Sequence, residues 1–330
     1  MNSSNSSSLF HLNPDIEMRF FGFTYCIVAM FLPPLFFIVI KAVNQLDRES
    51  PNMAYELMNI INCSQLTQSI THFLTGPGLI FPNIVKRYGF IVNVIGCTMN
   101  TFWIADFPMI TLLAVGRILI FTNRIKAQKF PIYMKIFIFL SWSWITFVLI
   151  YGSITQNLIF VSPGWDYDFT VPYAEMFSDL EKSLSLTCLA ISYVSYILMA
   201  ILIYKRKSIM ICASSRKNEI AILLQSTFVT TYITAMIFAW HQALFSVVSF
   251  FDVENKRNQA ILNCCLIFHC YVNPSMTLIC NKRVELNLAI LDESFYFREQ
   301  MNSRTRTRTM NIVLVLLTSC SRPMKVIRNS

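Results

Sequence analysis

Charge is scarce in this chain: only 14% of its 330 residues are Asp, Glu, Lys or Arg, while 55% are hydrophobic. Its mean hydropathy is +0.51. A soluble domain carries roughly 25% charged residues, so this balance excludes water as the solvent for most of the surface and makes a bilayer the solvent instead. Glycine (8) and proline (12) are modest as well, which excludes a Gly-rich scaffold and a disordered chain. The ten cysteines do not build a disulfide framework, because none lies in a predicted outer loop. Cys26, Cys63, Cys97, Cys188, Cys264, Cys265 and Cys270 fall in apolar segments, where a thiol behaves as a small buried hydrophobe. The four histidines, His11, His72, His241 and His269, lie on four different segments without metal-ligand or triad spacing. No Gly-rich phosphate loop is present. Catalysis, a cofactor and nucleic-acid binding are therefore not expected.

What the chain has in abundance is long apolar runs. A spanning helix needs ~20 mostly apolar residues to cross ~30 Å of hydrocarbon. Seven such runs are predicted, at about 20–41, 54–81, 90–121, 132–156, 184–204, 219–251 and 259–280. The second is the least apolar, since Asn59, Asn62, Ser64, Gln65, Thr67 and Gln68 make one face polar; groups of that kind at bilayer depth face other helices. The expected fold is an all-α membrane protein, a seven-transmembrane helix bundle. Its divisions are an outer segment 1–19, the bundle 20–281 and a basic tail 282–330.

Lysine and arginine near helix ends are retained on the cytoplasmic side. With the C-terminus inside, all of the 27 Lys and Arg residues except Arg19, Lys86, Arg87, Lys182, Lys256 and Arg257 fall inside. The long outer loop, 157–183, is instead acidic, with Asp166, Asp168, Glu175, Asp179 and Glu181 against Lys182. Both patterns predict an extracellular N-terminus and a cytoplasmic C-terminus. Sequons at Asn2 and Asn5 agree, because only a lumenal enzyme glycosylates them. No basic n-region precedes the first apolar run, so that helix is expected to act as signal anchor. In the tail, the RTRTRT repeat at 304–309 is a solvated basic run, a lipid-attracting segment or a kinase target at Thr305, Thr307 and Thr309.

The third predicted helix, which ends within FWIADFPMITLLAVGRILIFTNR, carries two charges inside its span, Asp106 and Arg117. Arg117 near its cytoplasmic end either snorkels to the headgroups or faces the bundle as a switch residue. Glu219, opening the sixth helix, is its nearest acidic candidate partner. Asp106 lies eleven residues earlier, three turns and ~16 Å along the same face, near the bilayer midplane. A carboxylate there is paired, hydrated or protonated; candidate partners are Asn62, His269 and Asn273, in a cluster that holds a cation or proton or is a neutral hydrogen-bonded core. Pro108 and Pro274 each remove a backbone hydrogen bond, where a helix bends between two states. Phe238, Trp240, His241 and Phe245 on the sixth helix, beside Phe102 and Trp103 on the third, are either packing or the wall of a small-molecule pocket.

Seven spans with the N-terminus outside, LLAVGR ending the third helix, a Trp in the sixth and Asn273-Pro274 in the seventh resemble rhodopsin-like receptors. More narrowly, YELMNIINCSQL, LLAVGRILIF, RKNEIAILLQSTFV and YVNPSMTLICNK are similar to nematode serpentine chemoreceptors of the superfamily containing classes g, t, x and xa, with xa or t nearest. The resemblance covers roughly residues 20–285. It implies a G-protein-coupled chemosensory receptor in the plasma membrane, of a sensory cilium in some cells, with a small-molecule ligand and a heterotrimeric G protein as partners. Arg117 matches the arginine of the Asp-Arg-Tyr motif, although Gly116 and Ile118 replace its neighbours. Asn273 and Pro274 match the start of Asn-Pro-x-x-Tyr, with Thr277 in place of the tyrosine. Trp240 corresponds to the sixth-helix toggle tryptophan, with Gln242 in place of the usual proline. Cys97 lies where the family anchors a disulfide to the second outer loop, a bridge this chain cannot form. Asn62 stands where the family's sodium pocket has an Asp, and Asp106 on the neighbouring helix is positioned to supply a carboxylate. Alternative readings are a seven-helix ligand-gated channel subunit of odorant-receptor type, which places its N-terminus inside, and a secondary transporter, which would show internal repeats.

Overall fold

The computed structural model describes residues 8–49, 51–128, 130–205, 213–241 and 255–280, except for the side chains of 213–219, 221, 222 and 280. The described residues all lie within one unit, Met1–Val284. In chain order the elements are α1 (Ile16–Met30), α2 (Leu32–Glu49), α3 (Met53–Ile80), α4 (Pro82–Arg87), α5 (Gly89–Phe121), α6 (Ile132–Thr155), β1 (Leu158–Val161), β2 (Gly164–Tyr167), α7 (Ala174–Lys205), α8 (Ala213–Trp240) and α9 (Lys256–Cys280). The long helices form the expected helical bundle.

Helices are forced here because a bilayer offers no partner for an unpaired N–H or C=O, so each spanning segment must close its hydrogen bonds internally. Six rods among the described residues are long and apolar enough to span: Ile16–Glu49, Gly89–Phe121, Ile132–Thr155, Ala174–Lys205, Leu223–Trp240 and Lys256–Ile279. The seventh long helix, α3, has 28 residues but dilutes its apolar character with polar side chains. Asn62, Ser64, Gln65, Gln68, Ser69, Thr71, His72 and Thr75 are all buried against neighbouring helices. The opposite arrangement holds on α6, where Ile132, Phe139 and Ile154 are exposed, as expected of side chains solvated by lipid.

The first predicted span is two helices. The chain breaks at Phe31 just ahead of Pro33 and Pro34, which cannot donate to the carbonyls one turn earlier. Asp15 caps α1 by accepting from the backbone N–H groups of Glu17 and Met18, satisfying two otherwise orphaned donors. Helix α1 then crosses α3 closely at Gly22 and Gly76: a Cβ on Gly76 would lie 2.8 Å from the Gly22 carbonyl oxygen and 2.4 Å from Cys26 Sγ. Small residues at such crossings let backbones approach where lipid supplies no hydrophobic drive.

Two features of the segment that follows α6 depart from the predicted loop 157–183. A β-hairpin stands there, with β1 and β2 antiparallel in the register Leu158↔Tyr167, Phe160↔Trp165 and Val161↔Gly164, joined by Ser162–Pro163 in cis. Helix α7 also begins at Ala174 rather than 184, because hydropathy marks where an apolar run starts and not where helical hydrogen bonding starts. On the hairpin's inner face Leu158 and Trp165 are buried with Cys97 of α5.

Cys97 is a free, buried thiol, as are Cys188 and Cys270, and Cys26, Cys63, Cys264 and Cys265 are also free. The hairpin is fastened to α5 by packing instead. Trp165 lies flat over Gly96, where a Cβ would come within 2.2 Å of its ring, and its indole N–H donates to Thr75 Oγ1 of α3 at 3.2 Å.

Candidate functional site

The hairpin roofs a cavity of about 300 Å³ enclosed by α3, α5, α7, α8 and α9. Its walls are aromatic: Trp103 from α5, Trp165 and Tyr167 from β2, and Trp240 from the end of α8. His72 from α3 and His241 just beyond α8 add ring nitrogens. Along one side Glu181 of α7 is held by two donors on the same oxygen, the Tyr167 hydroxyl at 2.7 Å and the Asn100 amide at 3.1 Å to Oε2. Asn100 also donates to the Tyr167 oxygen at 2.8 Å. Burial, reinforced by the Glu181 carboxylate, pushes the Tyr167 hydroxyl well above the usual phenol range, so Tyr167 remains a donor. On the exposed roof the Thr170 hydroxyl and backbone N–H hold the Asp168 carboxyl below the usual carboxylate range.

Beneath this cavity lies the polar cluster around Asp106. The carboxyl is 1% exposed, and its Oδ2 accepts from Gln68 Nε2 at 3.0 Å and Gln65 Nε2 at 3.3 Å. His269 Nε2 stands 3.7 Å from the same oxygen and 3.4 Å from Gln65 Nε2. The imidazole is stacked on Tyr232 and meets the edge of Trp103. Gln68 and Trp103 therefore belong both to the cavity wall and to the cluster. Among the described residues, four polar atoms here have no hydrogen-bond partner: Asp106 Oδ1, His269 Nδ1, Gln65 Oε1 and, one turn away, Asn62 Nδ2.

Asn62 does not join Asp106 through a hydrogen bond. It accepts from Asn273 Nδ2 at 3.0 Å, in a second chain in which Thr277 donates to the Asn273 carbonyl at 2.9 Å and Gln225 donates to Thr277 at 3.0 Å. Asn273 and Gln225 line a small void that Arg117 and Ser226 also line. The Arg117 guanidinium, half-buried, donates through Nη1 to Ser226 Oγ at 2.7 Å. Polar side chains thus descend from the roofed cavity through Gln68, Asp106 and Asn273 to Arg117 at the opposite end of the bundle.

Of the residues singled out from the sequence, the structure gathers Trp103, Trp240 and His241 around the cavity, Asp106 with His269, and Asn62 with Asn273. Phe102 turns the other way, its ring edge-on to Trp142 of α6, while its carbonyl accepts from Ser64 and Gln68. Pro108 and Pro274 lie inside α5 and α9. Phe245, Asn2, Asn5 and the tail are outside the described residues, as is the Glu219 side chain. Not singled out as site residues were Gln65 and Gln68 as partners of Asp106, His72, Ser226 and the Glu181–Tyr167–Asn100 group. The α3 set had a legible signal: Asn62, Gln65, Gln68 or Ser69, and His72 recur at helical spacing along one face. Among the described residues no group of three or more His, Cys, Asp and Glu side chains is placed to hold a metal.

This architecture defines a multi-pass membrane protein with a rhodopsin-like seven-helix fold. The crystal structure of squid rhodopsin aligns with it at a TM-score of 0.56 and 13% sequence identity, over 85% of this chain and 86% of that one. No protein-family model and no curated protein sequence matches the chain.

Proposed function

We propose that this protein is a G-protein-coupled chemosensory receptor of the plasma membrane, similar to nematode serpentine receptors, that admits an environmental small molecule beneath the hairpin and signals at the far end of the bundle. In this reading the N-terminus, with glycans on Asn2 and Asn5, is extracellular, and the basic tail is cytoplasmic. The observation that carries the reading is the arrangement along α5. One helix presents Trp103 to the cavity, Asp106 to the polar cluster and Arg117 to α8, so a ligand that shifts α5 against α3 and α9 changes all three environments together.

Asp106 is the pivot. An ionised carboxylate at the centre of a spanning helix costs ~2.5–3.5 kcal/mol on insertion scales, and its two amide donors offset only part of that. A proton or a cation held in this cluster stabilises one helix arrangement over another; a ligand acts by differential affinity for the two. Arg117 is the readout, holding α5 to α8 through Ser226 in this arrangement and releasing for the G protein in the other.

The test is a signalling assay on cells with matched surface expression. Arg117→Ala is expected to abolish G-protein activation while ligand binding persists. Normal signalling by that variant would reduce Arg117 to a snorkelling side chain and remove the coupling role.

A further inference from the structure

We propose that the ligand of the roofed cavity is a small organic cation, an ammonium ion on an apolar or aromatic body, with its charge on Glu181 and its body against Trp103, Trp165 and Trp240. The inference rests on the receptor reading above and adds the chemical class to it.

Size comes first. At about 300 Å³ the cavity stands at the bottom of the ~300–1,000 Å³ range of small-molecule sites, so the ligand is compact. Three of the five tryptophans in the chain face it, and their π faces attract cations, most strongly when water is excluded. The charges agree in sign. Glu181 and Asp166 line the cavity against one ammonium, that of Lys182, and Lys182 is already engaged with Asp179 at 3.1 Å.

Glu181 is also prepared for a ligand. Tyr167 and Asn100 both bind Oε2, which fixes the carboxylate plane, and Oε1 makes no hydrogen bond among the described residues. A neutral ligand would cover that charge without pairing it, which is costly; an anion would meet two carboxylates. A second group is equally unspent. His72 lines the cavity, is only 5% exposed and makes no hydrogen bond among the described residues, so it can bind a polar substituent on the ligand body. Asp168, just after β2, and Glu175, in the first turn of α7, add negative charge on the segments that carry Asp166 and Glu181, a field that draws cations.

The experiment uses the full chain purified in nanodiscs, with tryptophan fluorescence as the readout. Three probes share nearly one shape and differ in charge: 2-phenylethylammonium, 2-phenylethanol and phenylacetate. Saturable quenching by the ammonium ion is expected, with the other two binding at least about tenfold more weakly. Glu181→Gln keeps an acceptor for Tyr167 and Asn100 and should leave the thermal midpoint unchanged. It should weaken ammonium binding roughly ten- to hundredfold, the span of one charge-assisted contact, and leave the alcohol unaffected. If that variant fails to fold, Asp166→Asn, at the exposed position of β2, should give a smaller loss of the same sign. Equal or tighter binding of phenylacetate or the alcohol, unchanged ammonium affinity in the folded Glu181→Gln variant, or no binding of any probe would overturn the proposal. Ammonium binding lost in Glu181→Gln but without any G-protein response would keep the ligand class and remove the receptor reading. A G-protein response to the alcohol or phenylacetate that ignores Glu181 would do the reverse.

Discussion

Replacing Gly96 by alanine should undock the hairpin and leave the helix bundle standing. The added Cβ would lie 2.2, 2.4 and 2.7 Å from Cε3, Cζ3 and Cδ2 of Trp165, all well inside van der Waals contact. The indole cannot yield by bending a flexible tip, because these are ring atoms of a side chain 5% exposed, tethered to Thr75 through its N–H and edge-on to Phe160. Helix α5 cannot yield cheaply either, since it is packed along its length. Overpacking of this kind costs about 1–3 kcal/mol, which multiplies the population of the undocked hairpin roughly 5- to 150-fold. Amide hydrogen exchange across 158–167 measures it directly: those amides should exchange faster by that factor, while α5 and α9 amides keep their protection. The control is Gly89→Ala, where the new Cβ would meet nothing within 4 Å, so hairpin exchange should not change. Equal exchange in wild type and Gly96→Ala would mean that Trp165 does not anchor the hairpin, and the roofed cavity would lose its physical basis.

Three further outcomes are expected. Asp106→Asn should change the activation threshold, and a dependence of wild-type signalling on sodium or pH should vanish in the variant; persistence of that dependence would move the titrating or ion-binding group away from Asp106. Cys97→Ser should reach the cell surface normally, because the hairpin is held by Trp165 and Leu158 and not by a disulfide, whereas mass spectrometry finding Cys97 in a bridge would refute this. Glycosidase treatment should lower the apparent mass through Asn2 and Asn5, and an N-terminal epitope reachable only in permeabilised cells would reverse the proposed topology.

The helices were legible in the sequence because the bilayer makes their formation a local matter. Apolar length and internal hydrogen bonding decide where each one runs, so the spans 54–81, 90–121 and 132–156 reappear as Met53–Ile80, Gly89–Phe121 and Ile132–Thr155. The inward face of α3 was legible for the same reason, since Asn62, Gln65 and Gln68 had to be hidden from lipid. Which groups meet across helices was not. Asp106 takes Gln65 and Gln68 rather than Asn62, and Arg117 reaches Ser226, because each contact depends on the rotation and depth of two helices at once. Those are set by close crossings such as Gly22 against Gly76, far apart in sequence and driven by packing rather than hydropathy. Phe102 and Trp103 are adjacent in sequence, yet the ~100° between successive helical residues sends one to Trp142 and the other to the cavity. The sequence by itself determined a bundle of membrane-crossing helices with one polar helix turned inward; the tertiary structure alone decided that Glu181, the tryptophans and the hairpin enclose one cavity, since they come from separate segments that only packing brings together.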